Sequence, residues 1–245
     1  LLWGAHWNMK PAEGHSVEVY GYIQDDSRNI YMNEAGSKMG DLDRNTLGAR
    51  YLYTRNGWKA DLEAAWQSGE ISNDDISAWM FSGTGAYTWG NAAWKPTLEF
   101  GADYASGDGN PTDGDRDTFN QLFPLGHAYF GHMDLVARQN VEAYRLGLIL
   151  QPAPRLKWVT MLHSFQLAEE EDALYSAGGA PLRLDAAGLS GDDVATELDM
   201  LVAYSFKTHH SVAVEVAKWW SGDFIEATGF GDDAWFAWAA YEFRF

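Results

Sequence analysis

Charged side chains recur at every second position along several segments of this chain, and that spacing places them together on one side of an extended backbone. The basic members are Arg50, Lys59, Arg145, Lys157 and Arg244, with His6 and Lys10 at the margins; the acidic ones are Asp61, Glu63, Glu99, Asp103, Glu197, Asp199, Glu215 and Glu242. His163 falls in the same pattern. Guanidinium and ammonium groups recognise carboxylates, and guanidinium does so in bidentate fashion. Neighbouring strands also bring opposite charges within pairing distance. Each of these residues therefore has two readings, a contact for a passing anion or half of an ion pair in a wall. Arg50 and Arg145 are the first candidates for anion contacts. Trp219 and Trp238 share that side, where an indole serves either as a platform for a sugar ring or as packing.

A second group of residues offers oxygen ligands. Asp108, Asn110, Asp113, Asp115 and Asp117 crowd one loop, in the hard-oxygen chemistry that calcium prefers. The spacing is not that of an EF-hand, so a structural calcium ion and a solvated acidic loop both remain as readings; no other cofactor is expected. The segment from Phe119 to Leu135 is too apolar for an ordinary exposed loop. It is expected either to fold inward as a constriction, carrying Phe119, Phe123, His127, Tyr129 and Phe130, or to pack on a rim. Enzyme chemistry finds no constellation. Gly83-Thr84-Gly85 lacks the strand–turn–helix context of a phosphate loop. His163 and Ser164 are adjacent on a strand and so point to opposite faces.

The elements that hold these residues are strands. Leu198, Met200, Val202, Tyr204 and Phe206 alternate with Glu197, Asp199 and Ser205; Trp58, Ala60, Leu62, Ala64 and Trp66 alternate with Lys59, Asp61, Glu63 and Gln67. Similar alternation covers 2–10, 16–25, 46–55, 76–89, 96–105, 143–151, 156–168, 211–219 and 235–245. The total is about eleven strands. Short turns follow at Pro11–Gly14, Asn56-Gly57, Gly90-Asn91, Pro152–Arg155 and Thr208–His210. Between them lie long polar connections at 26–44, 107–139 and 169–193, with shorter ones near 69–75 and 221–232. Short connections at one end and long ones at the other are the pattern of a transmembrane β-barrel.

Composition agrees. Trp, Tyr and Phe number 12 each, suiting two aromatic belts at a membrane–water interface. A formal net charge of -18 excludes nucleic acid as a partner. The absence of cysteine removes disulfides and thiolate metal sites. Mean hydropathy is only -0.34, and no apolar run approaches the roughly 20 residues of a membrane helix. Alternate residues of a barrel strand face lipid, so neither value argues against a barrel. The whole of 1–245 reads as a single barrel domain. Its odd strand count suggests that further N-terminal strands and a signal peptide precede it. The aromatic final strand ending at Phe245 looks like the signal read by the barrel-assembly machinery of a Gram-negative outer membrane.

Several motifs resemble the alginate export family. They are Tyr104-Ala105-Ser106-Gly107-Asp108 with Asn110-Pro111, and Thr118-Phe119-Asn120-Gln121-Leu122-Phe123-Pro124. His127, Tyr129, Gly131, Met133-Asp134-Leu135 and Gln139-Asn140 follow, then Gly222-Asp223-Phe224-Ile225, Thr228-Gly229 and Asp233. Glu197-Leu198-Asp199 and His163 with Phe165 are similar too. The resemblance runs from about residue 45 onward. It implies the C-terminal portion of a larger barrel of about eighteen strands, set among outer-membrane lipids and passing solutes. The expected function is passive export or transport of an anionic, alginate-like polysaccharide, an oligosaccharide or a small anionic solute, without catalysis. Acids outnumber bases on the expected lumen face, so a general or cation-preferring porin is the alternative; a barrel enzyme or adhesin forms a third class.

Overall fold

Strands with one apolar and one charged face need partners for every backbone N–H and C=O, and here they find them in sequence order. The computed structural model describes residues 1–125 and 129–245. Its elements are β1 (Leu2–Met9), β2 (His15–Met32), β3 (Met39–Arg55), β4 (Trp58–Ile71), β5 (Asp74–Thr88), β6 (Thr97–Ala105), β7 (Asp115–Arg116), β8 (Val141–Ala153), β9 (Leu156–Gln166), β10 (Leu174–Tyr175), β11 (Pro181–Arg183), β12 (Asp193–Lys207), β13 (His210–Ser221), α1 (Asp223–Ala227) and β14 (Ala234–Phe243). The long strands pair in the order β1-β2-β3-β4-β5-β6-β8-β9-β12-β13-β14, each antiparallel to the next. The curved wall is a portion of an antiparallel transmembrane β-barrel. Among the described residues β1 and β14 do not pair with each other.

Turn chemistry sets the register. Asn56 and Gly57 both have positive φ, 53° and 85°, and join Arg55 to its partner Trp58 in a two-residue hairpin. Ser72 and Asn73, at 54° and 81°, do the same between Ile71 and Asp74 at the opposite end. Positive φ at both central residues gives a turn whose twist matches that of the flanking strands.

The expected strands are present, but two connections differ from expectation. The polar stretch 26–44 is mostly strand: β2 runs to Met32 and β3 begins at Met39, leaving a turn at 33–38. There the strands project beyond the apolar band, so outward positions are polar too and the alternation that marks a strand is lost. A register shift between Asp26 and Tyr31, with Asn29 at φ 54°, further breaks the period. Gly90-Asn91 belongs to a longer connection, 89–96, rather than to a two-residue turn. The long connections also carry short elements that the sequence did not signal. β7 pairs in parallel with β5, β10 pairs with β11, and α1 lies between β13 and β14.

The two faces of the wall differ in their surroundings. Leu47, Leu62, Phe100, Leu146, Val202 and Val214 stand exposed on the outer side. Trp66 pairs with Trp79 toward the end that carries the long connections. Trp58 meets Tyr87 at a tilt, and Tyr87 meets Trp89 edge-on, at the other end. The eight steps from Trp58 to Trp66 span about 27 Å along the strand, or about 20 Å after tilting, so the two belts bracket an apolar band. The hydrophobic core lies on the inner side. Met80, Val141, Phe165 and Trp219 of the wall pack there against Phe119, Phe130, Val136, Leu174, Phe224 and Ile225 of the long connections.

Leu62→Arg places a charge in the middle of this outer band and is expected to destabilise the barrel by about 2–4 kcal/mol. Urea unfolding in lipid vesicles measures it, and an unchanged midpoint would remove Leu62 from the lipid face.

Candidate functional site on the inner wall

Strand register brings the charged residues of one face into rows. One row runs Arg50–Glu63–Ser82–Asp103–Ala143–Phe165, and the next runs Leu52–Asp61–Thr84–Gly101–Arg145–His163–Glu197–Trp219. Glu99, Asp199 and Glu215 lie on the same face one and two rows further along. The structure therefore gathers Arg50, Asp61, Glu63, Glu99, Asp103, Arg145, His163, Glu197, Asp199 and Glu215 on one inner surface. Lys59, Lys157 and Glu242 share the face but stand exposed near the short-turn end. Arg244 lies past β14, where its Nε donates to Glu242 at 2.8 Å. His6 is 3.6 Å from Glu18, whereas Lys10 follows β1 outside the sheet. Trp238 is inward and half-buried opposite Glu215; inward Trp219 is buried and stacks on Phe165 at 6.0 Å, as packing requires.

Most inward charges are engaged with one another. Arg50 donates from Nε to Asp61 at 2.7 Å and forms an ion pair with it through Nη2. Arg145 is buried, donating to Asp103 at 3.0 Å, to Glu99 at 3.3 Å and to the Thr84 hydroxyl. Its guanidinium lies directly over Gly101, where an added Cβ would meet Cζ at 2.6 Å. Of the two arginines singled out as anion contacts, Arg145 is thus a member of the wall's ion-pair network. Burial and three acceptors occupy its donors. Arg50 is engaged by Asp61 through Nε and Nη2 only, and its side chain lines the cleft between wall and loop.

The long 106–140 connection folds inward across this surface. Asn120 and Gln67 bond reciprocally, Gln67 Nε2 donating to the Asn120 carbonyl and the Asn120 N–H donating to Gln67 Oε1, each at 2.8 Å. Arg138 donates to Asp103 at 2.8 Å and lies over the rings of Tyr129 and Phe130 at 5.1 and 5.2 Å. Asp103 thereby joins a wall arginine and a loop arginine through its two oxygens. Phe119 and Phe130 are buried and Tyr129 half-buried, while Phe123 is exposed and meets Tyr22 edge-on at 5.6 Å. His127 lies outside the described residues. Between loop and wall remains a cleft of about 330 Å³. Tyr20, Tyr22, Arg50, Glu63, Tyr129 and Arg138 line it.

Sequence reasoning missed several of these residues. Glu18 and Tyr20 were legible, because they alternate with Val17, Val19 and Gly21 within 16–25. Arg138 and His132 sit in a connection without periodicity, and nothing in the sequence marks which way they face.

The acidic loop is organised by its own hydrogen bonds. Asp108 Oδ1 accepts from the Asn110 N–H, and Asp113 accepts from the Asn110 amide and the Asp115 N–H. Among the described residues, no three of this loop's carboxylates bring a ligand atom within 4.8 Å of one another. Instead the loop docks onto the 33–38 turn. Glu34 Oε2 accepts from the Gly114 N–H at 2.9 Å, and Arg116 bridges Glu34 and Asp74 at 3.5 and 3.2 Å. Burial, reinforced by the neighbouring Asp108 carboxyl, pushes the Glu34 carboxyl up to about 7. Burial likewise raises Asp117, Glu169 and Asp172 in the same region.

A family model described as alginate export matches residues 1–235, which includes the first 44 residues that carried no recognisable motif. Among solved structures, OccK11 (OpdR) of Pseudomonas aeruginosa superposes with a TM-score of 0.57 at 14% identity, covering 100% of this chain and 58% of that one. OccK8 (OprE) of the same organism gives 0.55 at 14%, covering 98% of this chain and 57% of that one. The chain therefore spans less than two thirds of the length of either structure. No curated protein matches it.

Two outcomes test the loop's anchoring. Gln67→Leu leaves both Asn120 groups unsatisfied, at about 1–3 kcal/mol each, and should accelerate protease cleavage within 119–125. Glu34 holds a proton in the folded state that it would release in the unfolded one, whose carboxyl titrates near 4.5. Its contribution is fully present below that value and is lost as pH rises through about 7. Protection of the 107–117 amides, taken relative to their intrinsic base-catalysed exchange, should therefore fall between pH 5 and 8, and Glu34→Gln should flatten that fall.

Proposed function

Since the chain belongs to the alginate export family and builds the wall of an outer-membrane barrel, we propose that it forms the path of a passive channel for an anionic saccharide. Uronate polymers or oligomers of the alginate type are the solutes that best fit the cleft. The observation that carries this reading is the cleft between wall and inward loop. Arg50 and Arg138 line that cleft together with Tyr20, Tyr22 and Tyr129, and the Arg138 guanidinium lies over the Tyr129 ring. Aromatic faces stack against pyranose rings, and guanidinium donors meet the carboxylates that each uronate carries. The arginines are already held by Asp61 and Asp103. Pre-orientation lowers the entropy lost on each contact, and partial neutralisation keeps any one contact weak enough for the solute to move on, as conduction requires.

The acid-rich inner wall favours a second reading, a cation-preferring porin. Glu18, Glu197, Asp199 and Glu215 add to Asp61, Glu99 and Asp103, which arginines already pair, and the described inner face carries fewer bases than acids. Single-channel conductance of the complete protein in a planar bilayer, under a salt gradient with added polyuronate, separates the two. Anion-selective current blocked by polyuronate supports the saccharide channel; cation-selective current indifferent to polyuronate supports the porin.

Arg50→Glu combined with Arg138→Glu is expected to move the reversal potential toward cation selectivity. Polyuronate block should weaken about tenfold or more, equivalent to about 1.4 kcal/mol. An unchanged reversal potential and block would remove both arginines from the solute path.

A further inference from the structure

Away from the cleft, the inner wall holds a group of acids that the transport reading does not use. Asp199 of β12 and Glu215 of β13 face inward on a cross-strand diagonal, because Asp199 pairs with Ala217 two residues beyond Glu215. Glu197 lies one rung from Asp199 on the same face. All three are almost fully buried, at 0%, 1% and 1% exposure for Glu197, Asp199 and Glu215. Among the described residues, Glu197 Oε2, both Asp199 oxygens and both Glu215 oxygens have no hydrogen-bond partner. Buried carboxylates so short of donors are unstable as a bare set, because each has lost its hydration and repels the others. Some positive species must occupy the space between them.

Histidine nitrogens complete the group. His132, on the inward connection, forms an ion pair with Glu215. The ligand atoms of His132, Asp199 and Glu215 all lie within 4.8 Å of one another. His163 Nε2 is 3.3 Å from Asp199 on the side of β9, and Glu197 accepts the Met133 N–H at 3.0 Å. Next to His132, Gly131 has φ 79° and passes so close to Glu197 that an added Cβ would meet Cδ at 2.5 Å. That close passage lets the backbone deliver His132 to the wall.

We propose that His132, Asp199 and Glu215 bind a divalent transition ion of the zinc class, which clamps the inward connection to the barrel wall. An imidazole nitrogen beside carboxylate oxygens suits zinc and its neighbours, whereas calcium and magnesium take oxygen alone. Zinc bonds of about 2.0–2.2 Å set ligand atoms roughly 3–4 Å apart, a spacing compatible with the 4.8 Å within which these three lie. His163 and Glu197 are the outer partners, His163 orienting Asp199 and Glu197 holding the loop backbone beside His132. The site requires nothing of the transported solute.

The test is calorimetric titration of Zn²⁺ into the complete, chelator-stripped protein in detergent at pH 7.5, with Co²⁺ absorption as a spectroscopic probe. Wild-type protein is expected to take up one equivalent, to give cobalt bands of a nitrogen–oxygen site, and to resist competition by a hundredfold excess of Ca²⁺. His132→Ala, a loop substitution outside the paired strands, should weaken zinc at least tenfold while the barrel keeps its heat-modifiable mobility on gels. Glu215→Gln should do the same. His209→Ala removes an exposed histidine elsewhere and should change nothing. No saturable zinc uptake by wild-type protein would overturn the proposal, leaving shared protons as the positive species. Uptake that survives His132→Ala unchanged would overturn it as well.

Discussion

Hydrocarbon offers no hydrogen bonds, so a chain that crosses it as strands must satisfy every backbone N–H and C=O by pairing sideways. That constraint governs the rest of the molecule. It forces an uninterrupted antiparallel meander from β1 to β14 and fixes each register through tight turns such as Asn56-Gly57 and Ser72-Asn73. It also leaves the side chains only two directions. Apolar groups take the outward one because lipid is there, and the inward one is left to charge, small residues and whatever the long connections insert.

Turning charge inward creates a second problem, which the structure meets with pairing. Asp103 is almost fully buried between Arg145 of the wall and Arg138 of the inward connection. Removing one member of such a group strands the others in a poorly hydrated interior, at a cost of about 3–5 kcal/mol. The ion pairs therefore do more than colour the lumen. They tie a loop to the wall, and together with the reciprocal Gln67–Asn120 bonds they hold the cleft open in one shape. Arg50, Asp61, Glu63 and Tyr20 form the facing side of the same cleft, Tyr20 donating to Glu63 at 2.6 Å.

Toward the long-loop end, acids outnumber the cations available to them. Glu34 and Asp108 share a proton-dependent contact there, and Arg116 supplies the nearest positive charge. Deeper on the β12–β13 wall, five of the six carboxylate oxygens of Glu197, Asp199 and Glu215 have no hydrogen-bond partner among the described residues, and two histidines stand beside them. The inner surface is thus divided into a balanced arginine–carboxylate region beside the cleft and a carboxylate–histidine region beyond it. The two are joined by the single connection that runs from Ser106 to Asn140.

Period two was written in the residues, and with it the strands, their inward and outward faces, the aromatic belts and the separation of short from long connections. Leu198 to Phe206 against Glu197 to Ser205 admits no other extended arrangement once one side must meet lipid. Where the strands leave the apolar band, as at 26–44, both faces are polar and the sequence loses the strand. The inward row of charges was equally legible, since register follows from the turns. What the sequence could not carry was which partner each charge takes. Arg145 became a wall residue and Arg138 a cleft residue because a connection without periodicity folded onto Asp103. His132 met Asp199 and Glu215 for the same reason. Contacts between a strand and a distant loop are set by packing in three dimensions, and local spacing leaves no trace of them.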